Sequence, residues 1–372
     1  MTISLLYVDA GKGHYVPAKA MGDVLAARGY DAPVEDLFVA LDSTFWHWFC
    51  KAEWRFFLKH PILERIVHGV SDNRFTNVIL RALSKTKPIR TKFIAWYKER
   101  KPDVILSTNF LGGVIVGELA AYYKLDVKVY VYAADAFNNP VAGFHINVDK
   151  IFIPSFVGEE NLERQGYSQD QIIRSPFPLQ QSIEKMERVS KQEARSILGL
   201  EDRFTILYNL GGEGIGSDKL IRHLVKEEAD YQIVIVGKTD EHTKKHFLEI
   251  TKDSDLRVHV PGFVTNIGMY MLACDIQAGK AGANALMESI ALRRPFLLSQ
   301  VLYAARDTTR FFKLRGVGWV EGSSKKQAEI IKTYARSEEV RAEMDSHFDK
   351  LPLTFSAEAF VDLLLKSVNQ SR

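Results

Sequence analysis

Three glycine-bearing turns and two isolated acid–base side chains carry the chemistry this sequence can do. Ala10-Gly-Lys-Gly-His14 follows a short apolar run, Ile3 to Val8. Glycine lets the backbone approach a ligand, and a helix starting there favours an anion or an oxyanion. His14 in such a turn is placed for proton transfer at physiological pH; the plainer reading is a histidine that only hydrogen-bonds the loop. The spacing is not GxGxxG, but Asp36 stands where the acidic partner of a dinucleotide site would fall, so that fold stays open. Tyr208-Asn-Leu-Gly-Gly-Glu-Gly-Ile-Gly216 is a second such turn, a candidate phosphate cradle at Gly212, Glu213 and Gly214. In Gly279-Lys-Ala-Gly-Ala-Asn284, residues Gly282, Ala283 and Asn284 would open a helix with exposed N–H groups, next to Lys280. Glu288 lies one helical turn beyond Asn284 on the same face. A carboxylate there can take both hydroxyls of a ribose while the helix N-terminus takes the phosphates; the plainer reading is a solvated helical glutamate. Pro261-Gly-Phe-Val-Thr-Asn266 is a strand-to-helix connection whose backbone can read a base edge. Asp135, just after an apolar strand, is a candidate base or sugar-hydroxyl acceptor, and His145 reads as structural. Asp253-Ser-Asp255 reads as a turn, and no cluster has metal-ligand spacing, so neither a metal nor another cofactor is expected.

These turns need strands and helices to hold them. Val104 to Ser107, Val127 to Tyr132 and Lys150 to Ile153 read as strands, and Gly113 to Tyr123 as a helix. Pro17 reads as the first turn of a helix over Ala18 to Arg28. Residues 43 to 100 look helical and irregular. The alternation breaks at Arg174-Ser-Pro-Phe-Pro178, where two prolines forbid helix. It restarts with strands over Phe204 to Asn209, Gln232 to Val236, Arg257 to Val260, Asp275 to Ala278 and Phe296 to Ser299. Ser356 to Lys366 reads as a last helix. Apolar strands alternating with helices argue for two doubly wound α/β domains in tandem, 1–178 and 179–352, followed by a terminal helix in 353–372. Ligands of such folds sit at strand C-terminal ends, here in an expected central cleft.

The 372 residues suffice for two such cores, with 46% hydrophobic and 26% charged residues. No apolar run is long enough for a membrane span, and Met1 to Tyr15 reads as a first strand rather than a signal peptide. The two cysteines, Cys50 and Cys274, suit a reducing compartment. The net charge of +3 does not suggest a nucleic-acid partner, and no recognised module is present. That near-zero sum hides a segment. Ser43 to Lys101 holds 13 Lys/Arg against 4 Asp/Glu, a balance of +9. It also carries Trp46, Trp48, Trp54, Phe56 and Phe57, with Arg55 and Lys59 among them. Aromatic rings with cations suit a bilayer interface with anionic lipid; core helices with solvated basic faces are the plainer reading.

In order, the pieces read GxGHxxPA, an Asp after a central strand, GGEGxG, GFVTN, and KAG…E. This series resembles the GT-B glycosyltransferases of the monogalactosyldiacylglycerol synthase group, relatives of MurG in glycosyltransferase family 28, over nearly the whole chain. The resemblance implies a GT-B fold of two Rossmann-like domains facing a cleft. It implies an inverting, metal-independent hexosyl transfer from a UDP-sugar to a lipid hydroxyl such as that of diacylglycerol. The uracil would meet Phe263 and Val264, the diphosphate Gly212 to Gly214 and the loop Lys280 to Asn284, and the ribose Glu288. His14 or Asp135 would be the base, beside Gly11 and Gly13 on the acceptor side. The last helix would cross back to the first domain. The enzyme would be cytoplasmic and peripheral on the inner face of the cell membrane. The family's GQExxN sugar segment falls on Tyr303-Ala-Ala-Arg-Asp-Thr308, where Ala304 and Thr308 replace Gln and Asn. Arg306 is a new cation there and could meet a charged sugar. A polyprenyl-linked or soluble acceptor, a non-catalytic UDP-sugar-binding membrane protein and an epimerase stay open as alternatives.

Overall fold

A computed structural model describes residues 1–143, 147–210, 218–226, 230–280 and 282–370. Its described residues form two six-stranded sheets, each parallel throughout. The first contains β1 (Ile3–Tyr7), β2 (Val34–Asp36), β3 (Val104–Ser107), β4 (Lys128–Tyr132), β5 (Lys150–Ile153) and β6 (Ile172–Arg174), in the order β2-β1-β3-β4-β5-β6. The second contains β7 (Phe204–Asn209), β8 (Tyr231–Val236), β9 (Arg257–Gly262), β10 (Ile276–Gly279), β11 (Phe296–Leu298) and β12 (Gly318–Val320), in the order β12-β11-β10-β7-β8-β9. Helices on both faces explain why strands such as Val104-Ile-Leu-Ser107 and Tyr231-Gln-Ile-Val-Ile-Val236 are buried at every position rather than alternating.

Both orders reverse direction at a definable point. From β1 the chain goes to β2 on one side and returns to β3 on the other. From β7 it goes out through β8 and β9 and returns to β10 beside β7. Such switch points splay the following loops apart and leave a crevice for ligand. The sequence motifs fall there: the Gly11–His14 turn follows β1, and Gly279–Gly282 follows β10, in register with the end of β7 (Gly279 opposite Asn209). Gly279 has φ +123°, and a Cβ there would lie 2.7 Å from the Asn209 carbonyl, so glycine is required for the two strand ends to approach.

The chain divides after Glu184 rather than at Pro178, and segment 302–307 folds with the first unit. The reason is the returning C-terminus. Phe177 N–H donates to the Thr354 carbonyl (2.8 Å), Ser356 N–H to the Phe177 carbonyl (3.0 Å), and Ala357 N–H to Glu184 (2.9 Å). Pro178 therefore lies within the first unit. The final helix, Ala357–Gln370, buries Phe360 with its ring 5.3 Å from that of Tyr132 and 5.2 Å from that of Phe152. It belongs to the first unit, as does everything from Pro352 onward.

In the first unit α1 (Lys12–Ala27) starts earlier than Pro17 suggests and runs through it, which puts His14 in the first helical turn. Then come α2 (Leu37–Ala40) and four helices where the sequence looked irregular: α3 (Thr44–Lys59), α4 (Pro61–Ser71), α5 (Arg74–Ser84) and α6 (Lys87–Arg100). Phe93 and Trp96 of α6 join the core under β3 and the helix α7 (Phe110–Tyr123). On α4 and α5 the usual arrangement is reversed. Ile62, Ile66, Val70, Phe75 and Val78 are 57–78% exposed, whereas Glu64 and Asn77 are buried. Among the described residues no helix is long and apolar enough to cross a membrane.

Candidate active site

His14 is set by Thr108, at the end of β3. Its Nδ1 lies 2.8 Å from the Thr108 carbonyl oxygen, and the Thr108 hydroxyl donates back to the His14 carbonyl (2.8 Å). A carbonyl can only accept, so the neutral ring carries its proton on Nδ1 and keeps the Nε2 lone pair for an incoming proton. Thr108 is fixed in turn by its own N–H to the Leu6 carbonyl (2.9 Å), which makes the β1–β3 pairing the ruler for the imidazole. Sequence reasoning missed Thr108; a threonine one residue past a strand carries no distinguishing signal.

Asp135 follows β4 and is close enough for electrostatic interaction with His14. Burial pushes its carboxyl above the ordinary carboxylate range, and His14 opposes that shift. The folded chain thus holds this proton more tightly than the unfolded one. Ionising it costs stability as pH rises from the unfolded value, about 3.9, through the raised folded value, and the cost persists at neutral pH. Asp135→Asn is expected to raise Tm at pH 7, by about 2–4 °C per kcal/mol released. The gain should disappear below about pH 4, where the carboxyl is protonated in both states. Thermal melts across pH decide this: a Tm at pH 7 no higher than that of the unsubstituted chain would contradict it.

The surrounding loop is built structurally. Gly11 has φ +86°, and a Cβ there would meet Trp54 Nε1 at 2.5 Å, so the indole lies directly over the turn. Trp54, expected at the membrane, is half-buried and belongs to this site. Phe57 is likewise not a lipid contact: it is 6% exposed, its ring packed 4.9 Å from that of His68. Trp46, Trp48, Arg55, Phe56 and Lys59 are exposed. Asp36 is no ribose ligand. It accepts the Asp9 N–H (2.8 Å) and caps α2 at Phe38 and Val39 (3.0 Å each), which closes the dinucleotide reading of the first turn. Both cysteines are buried, which pushes each thiol up to about 12 and removes thiolate chemistry at neutral pH.

In the second unit the helix Ala283–Ala291 has Gly282 as its N-cap with no side-chain hydrogen bond. A glycine cap offers no side-chain acceptor of its own to the first amides, and the positive end of a helix favours an anion there. Lys280, just after β10, is half-buried, and burial lowers its ammonium from the ordinary lysine value. Glu288 is 5% exposed, which removes the reading of a solvated glutamate. Asn284 lies in the first helical turn, Phe263 is exposed after β9, and Val264 is partly buried. Gly212, Glu213, Gly214 and His145 lie outside the described residues. Among the described residues no group of three or more His, Cys, Asp and Glu could hold a metal ion. Arg306 is committed within the first unit: its guanidinium lies 3.9 Å from the Tyr303 ring centroid and 3.1 Å from Asp72.

Two parallel sheets with helices, each carrying its motifs at the switch point, define a two-domain α/β protein of the GT-B fold. Solved structures agree. HepE of Anabaena in complex with UDP matches with TM-score 0.60 at 14% identity, over 100% of both chains. UDP-GlcNAc 2-epimerase of Neisseria meningitidis bound to UDP-GlcNAc matches with TM-score 0.63 at 13% identity, again over 100% of both. Likeness at such identity speaks for the fold alone.

The sequence relatives are narrower and include monogalactosyldiacylglycerol synthases and diacylglycerol glucosyltransferases. It is 24% identical over 359 residues to a probable monogalactosyldiacylglycerol synthase of Nicotiana tabacum, covering 91% of this chain and 66% of that protein. It is 25% identical over 351 residues to monogalactosyldiacylglycerol synthase 3 of Arabidopsis thaliana, covering 89% and 73%. The processive diacylglycerol beta-glucosyltransferase of Bacillus cereus (strain B4264) is 24% identical over 223 residues, covering 59% and 56%. The chain spans about two thirds of the length of the plant relatives. No protein-family model matches it.

Proposed function

We propose that this chain is an inverting glycosyltransferase that moves a hexosyl group from a UDP-sugar to the hydroxyl of a diacylglycerol-like lipid at a membrane surface. The observation that carries the reading is the locked tautomer of His14 at the switch point of the first sheet, with Asp135 within electrostatic reach. His14 Nε2 takes the proton of the acceptor hydroxyl, and Asp135 stabilises the imidazolium that forms. The hydroxyl oxygen attacks the anomeric carbon from the face opposite the nucleotide, so one displacement inverts the centre. The leaving diphosphate is stabilised by the N-terminus of Ala283–Ala291 and by Lys280, and Glu288 takes the ribose. With amides and an ammonium as the counter-charge, the reading needs no metal.

The lipid side rests on the reversed helices. Apolar side chains on the outer faces of α4 and α5, the ring cluster Phe45, Trp46 and Phe49 (centroids 5.3–6.2 Å apart) and the excess of cations suit a leaflet surface. Each Lys or Arg near an anionic leaflet adds about 1 kcal/mol. The protein is then peripheral, at the inner face of the cell membrane, where its free thiols stay reduced. The test is UDP release from UDP-Glc, UDP-Gal, UDP-GlcNAc and UDP-GlcA on anionic vesicles containing diacylglycerol, paired with thermal shifts. Release from at least one donor, with the same nucleotide sugar raising Tm, is expected. No release and no shift from any of the four would end the reading.

A further inference from the structure

Helix α4 has two faces with different partners. Its outer face carries Ile62, Leu63, Ile66, Val67 and Val70, all exposed. Its inner side carries Glu64 and His68, one helical turn apart, and Asp72 a turn further on at the C-cap. Glu64 is 0% exposed, an expensive place for a carboxylate unless it is paired. What it holds is the chain at Tyr303: the Tyr303 N–H lies 3.0 and 2.9 Å from its two oxygens, and His68 Nδ1 lies 3.0 Å from one of them. Asp72, with its side chain 5% exposed, accepts from the Tyr303 hydroxyl (3.0 Å), from Arg306 (3.1 Å) and from the Ala142 N–H (3.0 Å). The Tyr303 ring lies against Gly69, with the Arg306 guanidinium also on it.

The held segment is unusual in the chain. Residues 302–307 fold with the first unit, while Val301 before them and Thr308 after them belong to the second. They form a strap, tied by backbone at both ends to the donor half and by side chains to α4. Segment 303–308 is also where the resemblance would place the family's sugar-contacting stretch. Two buried carboxylates aimed at one short strap from the inner side of a helix whose outer face is apolar are a mechanical link.

We infer that Glu64 and Asp72 are positioning residues that tie strap 302–307 to the lipid-facing helix α4, so that docking of α4 on a bilayer orders the strap for donor binding. This rests on the proposed reading of α4 as a lipid contact and of a UDP-sugar as donor. A free carboxylate–strap linkage in water exchanges through local opening; a docked helix has fewer open states, and the strap inherits them.

Hydrogen exchange of the full chain tests it, with and without vesicles of phosphatidylcholine and phosphatidylglycerol. Vesicles are expected to slow exchange across 301–308 about tenfold in the unsubstituted chain, the scale of one charge-assisted hydrogen bond. Asp72→Ala should co-sediment with vesicles as before but lose that slowing, and raise KM for the UDP-sugar more than it lowers kcat. Asp72→Asn, which still accepts from the Tyr303 hydroxyl and the Ala142 amide, should restore most of it. If Asp72→Ala does not fold, Tyr303→Phe removes one hydroxyl from the same link and should show the same loss in part. Unchanged exchange across 301–308 on vesicles that bind the protein, or equal slowing in the variant and the unsubstituted chain, overturns the link and leaves the lipid reading intact. A chain that does not co-sediment refutes the lipid reading itself, and the link with it.

Discussion

His14→Gln is expected to lower kcat by about 10²- to 10⁴-fold, the range of a positioned general base. The Thr108 carbonyl already claims the Nδ1 proton, so only Nε2 can receive the acceptor's proton. Glutamine can still donate to that carbonyl but offers no basic nitrogen. The loss should fall on kcat, with KM for the UDP-sugar nearly unchanged, because the residues assigned to the nucleotide lie in the other unit. Tm should move little, since the His14 side chain is only partly buried. Steady-state turnover with thermal melts reads both. Full turnover in the variant would remove His14 from the chemistry and leave Asp135 as the base.

The second large effect concerns the membrane. Ile62 and Val70 are 78% and 75% exposed, and both stand on the outer face of α4. Burying such a side chain is worth about 1.5–3 kcal/mol, so losing two from a bilayer contact costs about 3 kcal/mol or more, at least a hundredfold in vesicle partitioning. The double variant Ile62→Glu/Val70→Glu should therefore stay in the supernatant when the unsubstituted chain sediments with anionic vesicles. Exposed positions contribute little to folding, so its stability should change by about 0.5 kcal/mol or less. That combination separates a lipid face from a core face, for which polar substitution would unfold the protein. Co-sedimentation equal to that of the unsubstituted chain would move the lipid contact off α4.

Much of the architecture was legible from residue order. Runs such as Val104-Ile-Leu-Ser107 have no polar alternation, which only a strand covered on both faces tolerates, and glycine turns after such strands marked the loops that carry the candidate site. Less legible were features that depend on a distant partner. Pro17 looked like a helix start, yet α1 begins before it, because Gly11 at φ +86° turns the chain beneath Trp54 and a first turn forms ahead of the proline. Trp54 and Phe57 looked like their neighbours Trp48 and Phe56; which rings faced inward depended on Gly11 and His68 coming to meet them.

By itself the sequence determined the alternation of strands and helices, the positions of the glycine turns after β1 and β10, and the concentration of cations and rings between Ser43 and Lys101. Those features are local: propensity, periodicity and charge need no partner to be read. Tertiary structure decided which nitrogen of His14 carries the proton, because the deciding carbonyl belongs to Thr108 on another strand. It decided that Asp135 sits where ionisation is costly, and that Glu288 is enclosed. It also decided the orientation of α4 and α5. Periodicity shows that a helix has two faces but not which one turns inward. Here the polar face is inside because Tyr303, Arg306, Ala142 and Glu118, from far along the chain, supply the hydrogen bonds that make its burial affordable.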